Sequence, residues 1–505
     1  MASERAELKK RNAEQAAQIA MQREQIDRLI TENRLLQRKV QFLLKRMFGS
    51  KSEQVDPRQL ELLLRGLDMP EDGDDEDPPP RPPRPGRKRR DRKPRVPENL
   101  PTQDVVIDDP QEVKRDPNAY RCIGEEVTRE LDVVPAQYFV RQIIRRKFTS
   151  RVDPQRAPIM APLPPRLVEG GYASAGLLTD IVLKKYVDHL PLYRQEQILR
   201  TRHGIDLSRK TMSDWVRVVA DWLQPIYQHI REDLRASGYL QVDETPVRYC
   251  QREGGGSGKG YLWVYHRPGG DVLYEWYTSR AARCLEGMLG EFRGTVQCDG
   301  YSAYASYAKQ RPQIELAACW AHVRRRVHEA LDEAPALAGW LLNQIAHLYR
   351  TERAVRTEGP ASRQAVRAAH SAMTTRRLEK VLRLKLAQHR PTSAMGSAIH
   401  YALSLWPQLL RFLEDGRLEI DNNLIENAIR PTAVGKKNYL FFGHPDAGQR
   451  SAILYTLLES CKRHGINPQL YLHDVLRRLP SMTNQQTRQL TPANWLAAKS
   501  AAQAA

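Results

Sequence analysis

The sequence predicts a multidomain α/β protein in which an N-terminal coiled coil and a helical region precede a mixed-sheet core interrupted by a helical insertion. Three observations predict it: a seven-residue apolar repeat near the start, a change from helical to alternating periodicity beyond Gly238, and a return to long helical periods over 320–415. At 505 residues the chain is long enough for several domains, each with its own core. The formal charge of +19, from 79 Lys and Arg against 60 Asp and Glu, favours a polyanionic partner, most simply nucleic acid. Cys122, Cys250, Cys284, Cys298, Cys319 and Cys461 are scattered without a CxxC spacing, which suits reduced thiols and argues against a disulfide-built secreted domain. With a charged N-terminus and no run of about 18 apolar residues, the expectation is a soluble cytoplasmic protein with no membrane partner.

Residues 1–48 carry the repeat, through Ile19, Gln22, Ile26, Leu29, Asn33, Leu36, Val40, Leu43 and Met47, spaced three and four apart with charges between. Ile26, Leu29, Asn33, Leu36, Val40 and Leu43 are the dimerisation seam, and Asn33 at an a position fixes register and favours a parallel homodimer. A short helical segment (49–68) leads into a linker (69–110) that turns from acidic to proline-rich to basic, a composition that cannot build a core. Residues 111–165 read as a small strand-rich module, with "FVRQIIRRKFTSRV" its clearest strand candidate. Over 166–235 the period is helical. Gly204 marks a turn, and Ser208 caps a helix bearing Arg209, Lys210, Thr211, Ser213 and Arg217, the arrangement of a helix-turn-helix-like DNA-binding region.

The region 236–440 changes period. "GYLQVDETPVRY" alternates as a strand, "GYLWVYHRPGGDVLYEWYTS" is two strands about a Pro-Gly-Gly turn, and "RAARCLEGMLGEF" is helical. "GTVQCDGYSAY" begins with a strand, and "QIELAACWAHVRRRVHEAL" runs from strand to helix. Three strands, a helix, a strand, then a strand before a helix is the order of a ribonuclease-H-like fold. Two strands end alike, Gln241-Val242-Asp243 and Gln297-Cys298-Asp299, and in each the Gln and Asp face the same way. If the strands are neighbours, Asp243 and Asp299 converge.

Two convergent carboxylates in a basic protein suit Mg²⁺, with Mn²⁺ as a substitute, and a third acid would complete a two-ion site. Glu426 in "RLEIDNNLIENAIRP" is the candidate, on a helix beginning near Asn422, with Arg430 four residues on along the same face; Glu419 and Asp421 lie outside that helix. Such a site has one ion activating the attacking hydroxyl and the other stabilising the leaving oxygen, about 4 Å apart. Cys319 and His322, three apart, are too few for a zinc site and are read as packing or hydrogen-bonding residues.

On "MFGSKSEQ", "VDETPVRY", "CDGYSAY", "CWAHVRR", "GRLEIDNNLIENAIRP", "GKKNYLFFG", "RSAILYTLLESCKRHGINPQLYLHDVL" and "LTPANW", the chain resembles the insertion-sequence-66 family of bacterial DDE transposases over nearly its whole length. The resemblance implies that Asp243, Asp299 and Glu426 are catalytic and metal-binding, and that Asn422, Asn423 and Arg430 support them. Lys436 and Lys437 in "GKKNYLFFG" join the DNA-contact candidates. It implies cleavage of DNA at inverted-repeat ends and strand transfer into target DNA by a homodimer or higher assembly near the nucleoid. Small accessory proteins encoded by the same element are possible partners. Relatives carry a cysteine-rich zinc module where this chain keeps Cys122 alone, so 111–165 is read as a degenerate version and zinc is not expected. Residues 441–505 are expected to be a C-terminal helical region. The competing readings are a Mg²⁺-dependent nuclease or resolvase without strand transfer, and a non-catalytic DNA-end-binding regulator.

Overall fold

The computed structural model describes residues 111–119, 136–148, 151, 157–251 and 256–504. The expected coiled coil, the 49–68 segment, the 69–110 linker and Cys122 lie outside these residues. The chain divides into two units, Met1–Val134 and Pro135–Ala505. The described part of the first is a short helix, Gln111–Arg115, and a helical turn at Pro117–Ala119.

In the second unit, the strand expected in "FVRQIIRRKFTSRV" shrinks to Lys147–Phe148, paired antiparallel with Ile159–Met160. The apolar residues there come two by two, Phe139-Val140 and Ile143-Ile144, with polar pairs between, so no extended register puts them on one face. Phe139 and Ile144 remain 85% and 82% exposed.

Three helices follow: α1 (Ala175–Tyr186), α2 (Leu192–His203) and α3 (Arg209–Arg235). Gly204 ends α2 at φ 65°, a left-handed position that favours glycine, and the Ser208 hydroxyl accepts the Thr211 N–H at 3.1 Å to start α3. The buried face of α3 runs through Met212, Trp215, Val219, Leu223 and Ile226, about one turn apart, down the length of the helix.

A mixed sheet lies beneath, with β1 (Tyr239–Cys250), β2 (Ser257–His266), β3 (Val272–Tyr277), β4 (Gly294–Cys298) and β5 (Ile314–Ala318) in the order β3-β2-β1-β4-β5. The first three are antiparallel neighbours, while β4 pairs parallel with both β1 and β5. A two-residue strand β6 (Phe441–Phe442) joins the far end of β1. The helix expected in "RAARCLEGMLGEF" is only a turn at Ala282–Leu285 and a single α-turn at Glu286–Leu289, in keeping with Gly287 and Gly290 in its second half. After β4 comes the short α4 (Ser302–Ala308).

Beyond β5 the chain forms α5 (Trp320–Glu329), α6 (Pro335–Ala354), α7 (Ala372–Leu386), α8 (Ala394–Ser404) and α9 (Trp406–Glu414), and returns through α10 (Asn423–Tyr439). These helices bury their own core, which includes Trp320, Leu341, Leu378, Ile399 and Phe412. The insertion is therefore a packed subdomain. The main core is shared by α1 to α3, the sheet and the C-terminal helices, so 166–235 and 441–505 pack as parts of one body with the sheet. Helix α11 (Pro445–Arg463) is buried along most of its length and lies on β3. There the Thr456 hydroxyl accepts the Tyr274 N–H at 2.9 Å and Ser460 accepts that of Val272 at 3.1 Å, covering polar groups that an edge strand leaves open. Among the described residues no helix is long and apolar enough to cross a membrane.

Arg367 locks the insertion onto the chain that leads back to the sheet. It is fully buried, in a widened helical turn (Arg367–Ser371), and makes paired bonds to Glu352 at 2.8 and 2.6 Å. Its remaining donors reach the carbonyls of Phe412 at 2.7 Å and Leu418 at 2.8 Å. Arg367→Leu leaves the buried Glu352 with only the longer 3.5 Å contact of Arg363, so a loss of about 3 kcal/mol in chemical denaturation is expected, with partial recovery on adding Glu352→Leu. A loss below about 1 kcal/mol contradicts this role.

Candidate active site

Residue-for-residue pairing of β1 with β4 places Gln241 beside Gln297, and Asp243 and Asp299 each stand two residues further along. Because side chains alternate, each Asp follows its own Gln onto the same face of neighbouring parallel strands about 4.8 Å apart, Asp299 just past the end of β4 and Asp243 inside β1, which runs on to Cys250. The Asp243 Oδ1 accepts the Glu244 N–H at 2.8 Å, and the Asp299 Oδ1 accepts the Tyr301 N–H at 2.9 Å. The insertion holds this second turn from outside: the Tyr401 hydroxyl donates to the Asp299 carbonyl at 2.6 Å. Gly300 sits at φ 86°, a left-handed position that favours glycine, and a Cβ there would lie 2.7 Å from Leu405 Cδ1 of the insertion and push that side chain aside.

The segment 419–422 brings in the third acid by crossing the strand ends. The Trp320 N–H donates to the Ile420 carbonyl at 3.2 Å, and the Asn422 N–H to Cys319 Sγ at 3.4 Å. Gln241 Nε2 donates to the Asp421 carbonyl, and Gln297 Nε2 to that of Glu419, both at 2.8 Å. Helix α10 starts at Asn423, and its first turn carries Glu426.

The acids share one electrostatic neighbourhood. Burial pushes the Asp243 carboxyl up to about 8, with the charges of Glu244, Asp299 and Glu426 adding to it against the Glu244 N–H bond. Glu244 is itself held by Arg280 at 2.5 Å and by the Tyr304 hydroxyl at 2.6 Å. Glu426 faces α5, where His322 Nε2 lies 3.7 Å and Arg325 Nη2 3.9 Å from its oxygens. Burial and Arg325 hold the His322 ring below its usual range, while Glu426 and Asp299 oppose them. His322 and Asp243 thus both feel Asp299 and Glu426. Among the described residues no group of three or more His, Cys, Asp or Glu side chains is closed tightly enough to hold a metal ion as it stands. The three carboxylates meet as a field, not as a finished ligand cage. Carboxylate oxygens are the hard donors that a divalent cation such as Mg²⁺ takes.

The other expected residues divide. Asn422 is fully buried, and neither polar atom of its amide has a partner. Asn423 Nδ2 donates to Asp421 Oδ2 at 2.8 Å, and the Tyr349 hydroxyl donates to the same oxygen at 2.8 Å. Arg430 is exposed and forms no ion pair among the described residues, so Glu426 pairs with α5 rather than along its own helix. Lys436 Nζ is spent on Thr245 Oγ1 and the Pro246 carbonyl, both at 3.0 Å, tying α10 to β1, whereas Lys437 is exposed. On α3, Arg209, Lys210, Ser213 and Arg217 are exposed, Thr211 is half-buried, and Arg217 pairs with Asp221 at 3.3 Å. Sequence reasoning missed the Glu426 contacts of His322 and Arg325, and the Tyr349 bond to Asp421. "CWAHVRR" carried the signal for the first two, through a helix starting at a strand end beside the acids; Tyr349 gave none.

The Asp243 shift has a stability consequence. Its folded value lies above its unfolded one, so as pH rises the unfolded chain releases the proton first, and stability falls between about pH 4 and pH 8. Asp243→Asn removes that loss. In chelator-treated full-length protein the variant is expected to melt about 2 °C above the parent at pH 8, with the gap closing near pH 4; an equal gap at both pH values contradicts the shift.

Comparison with known proteins places this architecture. A family model described as "Transposase IS66 family" matches residues 170–450, one described as "IS66 C-terminal element" matches 456–493, and one described as "Transposase C of IS166 homeodomain" matches 35–105. Among curated relatives from Sinorhizobium fredii (strain NBRC 101917 / NGR234), the uncharacterized protein y4jD is 33% identical over 94% of this chain and 96% of its own length. The uncharacterized protein y4qI is 35% identical over 71% of this chain and 68% of its own. With its central 281 residues matched by the family model and a relative aligned almost end to end, the chain belongs to the IS66 family of transposases.

Proposed function

We propose that the protein is a DDE transposase that cleaves DNA at the ends of its insertion sequence and transfers the freed strands into target DNA. One observation carries the reading: the pairing of β1 with β4 sets Asp243 and Asp299 on one face, and the segment that leads to Glu426 is hydrogen-bonded to the same two strands. The order of the sheet, with β1 central, β2 antiparallel to it and β4 and β5 parallel, supports a ribonuclease-H-like core.

Both chemical steps are in-line displacements at phosphorus by an oxygen nucleophile, water first and the DNA 3′-hydroxyl second, so one site serves both without a covalent protein intermediate. Asp243, Asp299 and Glu426 would hold Mg²⁺, or Mn²⁺ in its place, which supplies positive charge for the attacking and leaving oxygens. The chain's own task is orientation. Backbone N–H groups of Glu244 and Tyr301 aim the two aspartates, and His322 and Arg325 restrain Glu426 from the opposite side.

The exposed cationic start of α3 is the part we assign to DNA-end binding, entered through the turn at Gly204 as in a helix-turn-helix. The heptads of residues 1–48 pair two chains, so that both element ends are held during transfer. A net charge of +19 draws the assembly to DNA and so to the nucleoid.

Asp243→Asn, Asp299→Asn and Glu426→Gln are each expected to abolish cleavage of labelled terminal DNA while gel-shift binding survives, and cutting at the parental rate by any one removes that residue from the site. Joining of labelled ends to a plasmid separates transfer from simple nuclease action. Arg209→Ala combined with Lys210→Ala is expected to flatten the salt dependence of end binding by about two phosphate contacts, and an unchanged slope moves DNA recognition elsewhere.

A further inference from the structure

We propose that Gln241 and Gln297, with the Tyr239 hydroxyl, are positioning residues that hold the Glu426-bearing segment in register with both aspartates. The inference rests on the transposase reading and assigns the step that joins its three acids into one site.

The two amides lie side by side on β1 and β4, each two residues before a catalytic aspartate, and both are buried. They bond to each other, Gln241 Nε2 donating to Gln297 Oε1 at 3.0 Å, and each also donates to a carbonyl of the incoming segment, at Asp421 and Glu419. The Tyr239 hydroxyl completes the set: it donates to Gln297 Oε1 at 2.6 Å and accepts the Glu419 N–H at 3.0 Å. Backbone groups of residues 419 and 421 are thus read by side chains from the strand that carries Asp243 and the strand that leads into Asp299. A slip of the segment by one residue would break all three contacts and leave buried donors and acceptors unpaired, which is costly in a dry site. Glu426 follows Asp421 by five residues through the first turn of α10, so its approach is set by this clamp.

The test compares the full-length parent with Gln241→Met/Gln297→Met, which keeps shape and removes the amides, and with Tyr239→Phe, which removes one hydroxyl. Mn²⁺ binding by titration calorimetry, kcat and KM for labelled terminal DNA, and thermal melting are measured on each, with Asp243→Asn as control. Expected is a fall in kcat and in Mn²⁺ affinity of about 10- to 100-fold in the double variant, and smaller falls in Tyr239→Phe, with KM unchanged. A folded double variant with parental kcat and Mn²⁺ affinity overturns the clamp. If the double variant does not fold, Tyr239→Phe decides: parental kcat and Mn²⁺ affinity overturn the clamp, and reduced values at unchanged KM support it. Cutting by Asp243→Asn overturns the transposase site itself, whereas an inactive Asp243→Asn beside a fully active double variant overturns the clamp alone.

Discussion

The parallel pairing of β1 with β4 is the constraint on which the site depends. Once Gln241 lies beside Gln297, the period of the strand fixes where Asp243 and Asp299 can point, and it sends both to one face of the sheet, level with the end of β4. A one-residue slip would turn an aspartate into the core and bring Val242 or Cys298 to the surface, an exchange that each strand's burial opposes. Burial raises the proton affinity of Asp243, the charges of Glu244, Asp299 and Glu426 add to it, and that unfavourable field is what a cation would relieve.

The third acid poses a harder problem, because a long helical insertion separates it from the other two. Closing so long a connection loses entropy, although the loss grows slowly with length; the greater difficulty is precision. The insertion meets it by being a packed body with its own core. Through Arg367 and Glu352 it grips the carbonyls of Phe412 and Leu418, just before the chain crosses the strand ends, and through Tyr401 it touches the carbonyl of Asp299. The insertion is a scaffold for two of the three acids as well as a rim. The C-terminal helix α11 does comparable work at the other edge of the sheet, where Thr456 and Ser460 satisfy groups that β3 leaves open.

Much of this was legible in the sequence for physical reasons. The strands around "VDETPVRY" and "GTVQCDG" alternate strongly, and Gly204 and Ser208 are residues whose chemistry announces a helix end and a helix start. Other features were hidden because they depend on partners far along the chain. "FVRQIIRRKFTSRV" carries strand-forming residues but in a two-and-two pattern, and among its described residues only Lys147 and Phe148 find a partner strand. Lys436 reads as a DNA contact in "GKKNYLFFG", yet the fold turns its ammonium onto Thr245 and Pro246. Glu426 and Arg430 have the spacing of a helical ion pair, but among the described residues the carboxylate pairs with His322 and Arg325 on α5 and Arg430 with no acid. The role of Gln241 and Gln297 was half visible: their common facing followed from period two, whereas their targets, two backbone carbonyls far downstream, did not.

If Asp243, Asp299 and Glu426 form one cation site, an anomalous-scattering crystal structure of the full chain soaked in Mn²⁺ will show it. A manganese peak bounded by carboxylate oxygens of all three residues is expected; a peak held by the aspartates with Glu426 still turned to His322 and Arg325, or no peak between them, would contradict a three-acid site.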